Sequence, residues 1–168
     1  MNKIKIVYKN INQIIPYSNN PRKNASGVDA VAASIKEFGF KVPVVIGGNG
    51  EIIAGHTRVM AAKKLGIDDI PCIIADDLTE AQIKAFRIAD NKTAEFSEWD
   101  KELLAVELEE LSEMDFNISI TGFDESEIER LMTQFNPIDL DEDEDGEEVE
   151  GNSKTVYHCP KCGFEFEV

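Results

Sequence analysis

Residues 55–58, Gly-His-Thr-Arg, stand between an apolar stretch ending at Ala54 and a run from Val59 with helical spacing. A strand that turns at a glycine into a helix leaves backbone N–H groups without intrahelical partners at the positive end of the dipole. An anion fits there. In this reading Gly55 lets the anion approach, Arg58 forks onto a phosphate, and His56 and Thr57 complete the turn. The same residues also fit a plain turn with a surface arginine, and His56 an exposed polar side chain. Two more segments could complete a pocket: the loop Asn20-Pro21-Arg22, and Gly39–Pro43 with Lys41 inside it. Each also reads as an ordinary turn or helix cap.

A second chemistry sits near the end of the sequence. Cys159-Pro-Lys-Cys162-Gly has the form of a zinc knuckle, two thiolates around a tight turn, followed by the alternating strand Gly-Phe-Glu-Phe-Glu-Val. That is half of a four-ligand site, so zinc would need a second chain, another protein or other ligands. His158 adjoins Cys159 too closely to share the ion, and Cys72 lies in an apolar run as inert packing. Asp141, Asp143, Asp145 and Gly146 imitate a calcium loop, but Asn152 stands where its closing glutamate belongs.

The elements that must position these groups follow from periodicity. Lys3–Tyr8 alternates as a strand, and Ser26 with Asp29 reads as a capping box for a helix with Val28, Val31, Ala32, Ile35 and Phe38 on its apolar face. Val42–Ile46 and Glu51–Gly55 flank the turn Gly-Gly-Asn-Gly as a hairpin, and a helix follows through Val59, Ala62 and Leu65. Ile70–Ala75 reads as a strand buried on both faces. Three more helices are expected: Thr79 with Gln82 opens one through Ile83, Phe86 and Ala89. Ser97 opens another carrying Trp99, Leu103, Val106 and Leu111, and Asp124 with Glu127 opens a third through Ile128, Leu131 and Phe135.

Charge divides the chain. Residues 1–75 hold ten Lys or Arg against five Asp or Glu, and residues 76–168 hold seven against 28. The first part attracts phosphate and the second repels it. Nine of the twelve residues from Asp139 to Glu150 are acidic, which reads as a disordered linker. No run approaches a membrane span and the start lacks a secretory core, so a cytoplasmic protein without membrane contact is expected.

The motifs Asn20-Pro-Arg22, Phe38–Ile46, Gly55–Gly66 and Ile88-Ala-Asp-Asn-Lys92 occur in an order and spacing that resemble the N-terminal domain of the ParB/sulfiredoxin superfamily, over roughly residues 3–92. The resemblance implies a small α/β (α+β) mixed sheet with helices and a nucleotide-phosphate site at Gly55–Arg58, with Arg58 matching the box's last arginine. Sulfiredoxins carry a Cys where this chain has His56, so their reductase chemistry is not implied. Partition ParB proteins read Gly-Glu-Arg-Arg and Glu-Asn-x-x-Arg, against Thr57, Asp90 and Ala94 here, so the resemblance does not by itself imply CTP use. The partition proteins also continue into a basic helix-turn-helix, whereas Trp99–Phe135 is acidic. The chain looks more like short ParB-like proteins of phages and mobile elements, whose relatives also occur fused to DNA methyltransferases.

The expected organisation is a ParB/sulfiredoxin-like domain at 1–95, an acidic helical extension at 96–136, an acidic linker at 137–153 and a knuckle at 154–168. The expected function is a nucleotide- or DNA-binding accessory module of phage or mobile-element DNA metabolism. Gly55, His56, Thr57 and Arg58 would hold phosphate, with Arg22, Lys41, Asn91 and Lys92 on the rim. The acidic helices would meet a protein partner, and Cys159 and Cys162 would share zinc in a dimer or with a partner. The alternatives are an NTPase or nuclease using His56 or Asp90 as acid–base group with Mg²⁺ carried by a nucleoside triphosphate, and a protein-binding adaptor with a vestigial pocket.

Overall fold

A computed structural model of the chain describes residues 4–22, 25–135, 156–158 and 165–167. Strands β1 (Ile6–Asn10), β2 (Val44–Gly47), β3 (Ile52–Ala54) and β4 (Asp69–Ala75) form one sheet in the order β1-β4-β2-β3. The apolar run around Cys72 takes a central place. β4 pairs antiparallel with β1, Val7 opposite Cys72, and parallel with β2, Val44 opposite Cys72. Ile70 and Cys72 are fully buried, as expected of a strand covered on both sides, although Ile74 emerges at its end. The first strand lies two to three residues later than alternation alone predicts, because pairing with Asp69–Ile73 sets its limits.

The hairpin forms where expected. β2 and β3 are antiparallel, and the Gly50 N–H donates to the Gly47 carbonyl at 2.9 Å. Gly50 has φ 82°, and a Cβ there would stand 2.9 Å from the Gln13 carbonyl oxygen. Only glycine fits this turn.

Helices α1 (Val28–Phe38) and α2 (His56–Lys64) pack together through Val28, Ala32, Ile35 and Ala61, while Val59 and Ala62 of α2 join the sheet core. The expected capping box at Ser26 does not form. Residues Ala25–Gly27 make a 3₁₀ turn, Gly27 is the cap without a side-chain bond, and Asp29 instead meets Lys64 Nζ at 2.5 Å.

Helix α3 (Glu80–Thr93) opens on the expected capping box, Gln82 N–H donating to Thr79 Oγ1 at 3.3 Å and Thr79 N–H to Gln82 Oε1 at 2.8 Å. Its buried position is not the expected Phe86, which is 38% exposed, but Arg87 at 7%. Helix α4 (Lys101–Glu113) starts later than Ser97 predicts: Asp100 takes the amides of Glu102 and Leu103. It buries Ala105 and Leu108, leaving Trp99 and Leu103 exposed. Helix α5 (Glu125–Gln134) begins at the predicted Asp124–Glu127 box, buries Ile128 and packs against α4.

The chain divides into two compact units, 1–136 and 137–168. In the second, β5 (Val156–His158) and β6 (Glu165–Glu167) pair antiparallel, with Tyr157 opposite Phe166. The acidic tract, the calcium-like run, Cys159 and Cys162 lie outside the described residues. No helix among the described residues is long and apolar enough to cross a membrane.

Candidate functional site

The site begins at the junction of β3 and α2. Gly55 takes φ 106° and serves as N-cap without a side-chain bond, and no acidic residue occupies the first turn of α2. The dipole and amides of this turn therefore have no anionic partner from their own helix. A Cβ on Gly55 would lie 3.4 Å from both the Arg58 Cζ and Val44 Cγ2. The absent side chain thus makes room for the left-handed turn and for packing on β2 and Arg58.

A cleft of about 260 Å³ opens beside this turn, and Asn20, Arg22, Gly55, His56, Thr57, Arg58, Arg87, Asp90 and Asn91 contribute to its wall. Residues distant in sequence, from the loop, α2 and α3, meet here. Lys41 and Lys92 do not join them. Lys41 lines an adjoining groove with Phe38, Val42 and Ile120 that meets the cleft at Val31 and Arg58, and Lys92 pairs with Glu95 at 2.6 Å.

The rim arginine is held by the motif at Ile88–Lys92. Arg22 Nη1 donates to Asn91 Oδ1 at 2.9 Å, and Asn91 Nδ2 donates to the Arg87 carbonyl at 2.7 Å. Asn20 Oδ1 accepts the Arg22 backbone N–H at 3.2 Å, which shapes the loop as an Asx turn.

Arg58 is partly committed elsewhere. Its Nη1 donates to the carbonyls of Val42, at 3.1 Å, and Pro43, tying α2 to the entrance of β2. Burial lowers its pKa from the usual arginine value, and the Asp90 carboxylate opposes that shift. It remains a cation.

His56 Nε2 accepts the Tyr17 backbone N–H at 3.3 Å. A neutral ring that accepts at Nε2 carries its proton on Nδ1. Burial, then the positive charge of Arg87, lowers the His56 pKa, while Glu51 works the other way. These causes keep the ring neutral near pH 7.

Arg87 was missed at the sequence level. Its Nε and Nη2 donate to the Ile52 carbonyl at 3.3 and 3.1 Å, Nη2 also pairs with Glu51, and Cζ lies 3.5 Å from the centroid of the Tyr17 ring. The only available signal was an arginine at the helical position where an apolar residue belongs. Cys72 is a buried free thiol whose pKa burial raises, in keeping with inert packing. Among the described residues no three His, Cys, Asp or Glu side chains cluster to hold a metal.

Residues 1–91 match the model of the ParB N-terminal domain, and residues 102–156 match the ParB-methyltransferase HTH domain. The ParB-like nuclease domain-containing protein YnaK of Escherichia coli K12 is 46% identical over 81 residues, 48% of this chain and 93% of that protein. A probable chromosome-partitioning protein ParB of Campylobacter jejuni is 36% identical over 86 residues, 48% of this chain but 31% of its own length. In structure, the C-terminally truncated chromosome-partitioning protein ParB of Caulobacter crescentus, solved with CTP-γ-S, superposes with a TM-score of 0.63 at 18% identity, covering 76% of this chain and 77% of that one. The mixed sheet, the glycine-turned helix and a family match over more than half its length agree: this chain belongs to the ParB N-terminal domain family.

Proposed function

We propose that the cleft beside Gly55–Arg58 binds the phosphates of a nucleoside triphosphate, and that the chain is a nucleotide-binding accessory module of DNA metabolism, of the phage or mobile-element kind. The observation that carries this reading is the convergence of Arg22 and Arg58 on a helix N-terminus that has no acidic residue in its first turn. Cations and unpaired amides facing one cleft complement a polyanion. At about 260 Å³ the cleft falls just below the roughly 300–1,000 Å³ of drug-sized ligand sites, so it suits the phosphates and leaves the nucleoside on the rim. The Caulobacter ParB solved with a CTP analogue shares the fold, which supports a nucleotide here. Asp90 supplies a carboxylate in the cleft that can face Mg²⁺ or its waters when the ion arrives with the nucleotide.

Binding is favoured over catalysis by His56. Its Nε2 is taken by the Tyr17 amide, so the residue expected to serve as acid–base group acts in the structure as a hydrogen-bond acceptor for the loop. Calorimetric titration of the full chain with CTP, GTP, ATP and UTP in Mg²⁺ tests the reading. Saturable binding of at least one, weakened in Arg22→Ala, is the expected result. Absence of binding to all four would overturn it.

A further inference from the structure

The cleft contains a buried cation that the phosphate reading does not use. Arg87 is 7% exposed, and its guanidinium is committed to the carbonyl of Ile52, the first residue of β3, and to Glu51 just before it. A charge this buried persists only when paired and hydrogen-bonded, as it is here. Its flat face lies against the Tyr17 ring at 3.5 Å, a cation–π stack. The Tyr17 backbone is held from the other side, its N–H donating to His56 Nε2. One turn further along α3, Asn91 joins the Arg87 carbonyl to the Arg22 guanidinium. The segment from Tyr17 to Arg22 is therefore gripped at both ends by successive turns of α3, and at its start by the first residue of α2.

We propose that Arg87 and Tyr17 form a latch that positions Arg22 over the cleft, making both positioning residues for phosphate binding without contact to phosphate. The proposal rests on the phosphate reading for its consequence, but the latch itself is a property of the empty protein. The physical reason for such a device is entropic. Arg22 is an exposed side chain on a polar loop, and each freedom left to it would be lost on binding. Fixing the loop backbone at Tyr17 removes part of that loss in advance. The pairing also explains why α3 places an arginine at its buried position: an apolar side chain would pack there but could not satisfy Glu51, the Ile52 carbonyl and the tyrosine face together.

Tyr17 is the cleaner handle, because removing Arg87 leaves Glu51 without its partner and can unfold the protein. Tyr17→Phe keeps the ring and should behave as wild type; Tyr17→Leu keeps apolar bulk but loses the stack. Two measurements on the full chain decide the matter: amide hydrogen exchange over residues 15–22, without ligand, and the affinity for CTP with Mg²⁺ and for inorganic tripolyphosphate. The latch predicts that Tyr17→Leu exchanges faster in this segment and binds both probes about fivefold more weakly, with Tyr17→Phe restoring both. Arg22→Ala should lose affinity while leaving exchange at the Tyr17 amide as in wild type, because it removes the Asn91 grip but not the stack. Equal exchange in wild type, Tyr17→Phe and Tyr17→Leu overturns the latch. If wild type binds neither probe while exchange responds as predicted, the latch stands and the phosphate reading fails. Weaker binding with unaltered exchange would make Tyr17 a direct ligand contact and refute its positioning role.

Discussion

His56, the first residue of α2, accepts the backbone N–H of Tyr17 at 3.3 Å, joining two segments 39 residues apart through a titratable ring. That bond exists only while Nε2 is unprotonated. Burial and Arg87 lower the His56 pKa in the folded chain below the ordinary value of about 6.5, so the unfolded chain binds the proton more readily. The histidine's contribution to stability is thus fully present above that ordinary value and is lost as pH falls through the lowered folded value. Unfolding midpoints should fall from pH 7 to pH 5 in wild type and fall less in His56→Gln; parallel pH profiles for the two would contradict this assignment.

Gly55 offers a test of backbone geometry. With φ 106° and a Cβ position 3.4 Å from Val44 Cγ2, alanine there meets both a disfavoured conformation and a packed wall. Gly55→Ala should cost about 1–3 kcal/mol in denaturant unfolding. Gly66, where a Cβ would find nothing within 4 Å, should show only the smaller backbone penalty of its φ of 69°.

Arg22 and Arg58 should separate affinity from stability. Arg22 is exposed and, among the described residues, its side chain bonds only Asn91, so Arg22→Ala should weaken nucleotide binding while leaving the unfolding midpoint nearly unchanged. Arg58 also satisfies the carbonyls of Val42 and Pro43, so Arg58→Ala should lower both affinity and stability, the latter by about 1–3 kcal/mol. Calorimetric titration beside chemical denaturation reads the two effects independently.

The charge division predicts a salt-sensitive response to DNA. Residues 137–168 carry eleven acidic side chains against two lysines. A chain ending at residue 136, the limit of the first compact unit, should bind duplex DNA more tightly than the full chain at low salt, with the difference shrinking as salt rises. Equal binding in fluorescence anisotropy would remove the acidic tract from any role in DNA affinity.

Cys159 and Cys162 supply two thiolates, half of a tetrahedral zinc set. If a pair of chains shares the ion, metal analysis of purified protein should find about one zinc per two chains. Cys159→Ser should remove it and shift the native mass toward the monomer. A full zinc per monomer would place the missing ligands within one chain.

Much of the fold was legible because local rules acted alone. The boxes at Thr79–Gln82 and Asp124–Glu127, the hairpin glycines and the strand around Cys72 are satisfied by near neighbours or by uninterrupted burial. Where a distant group competed, local reading failed. Asp29 left its expected cap to pair with Lys64, and Asp100 displaced Ser97 as the start of α4.

The same distinction governs the site. Spacing and charge in the sequence determined that a glycine would turn a strand into a helix at residues 55–58 and that the chain would divide electrostatically, and the family resemblance of its motifs added Arg22 and the Asp90-Asn91 pair to that site. Only tertiary structure decided which charges reach the cleft: Lys41 and Lys92 turned elsewhere, Arg58 spent part of its fork on carbonyls, and Arg87 entered the interior. A sequence records which side chains are cations, but a cation's position depends on the partners that offset its lost hydration. Those partners, Glu51, the Ile52 carbonyl and the Tyr17 ring, are brought to Arg87 only when β3, α3 and the loop fold together.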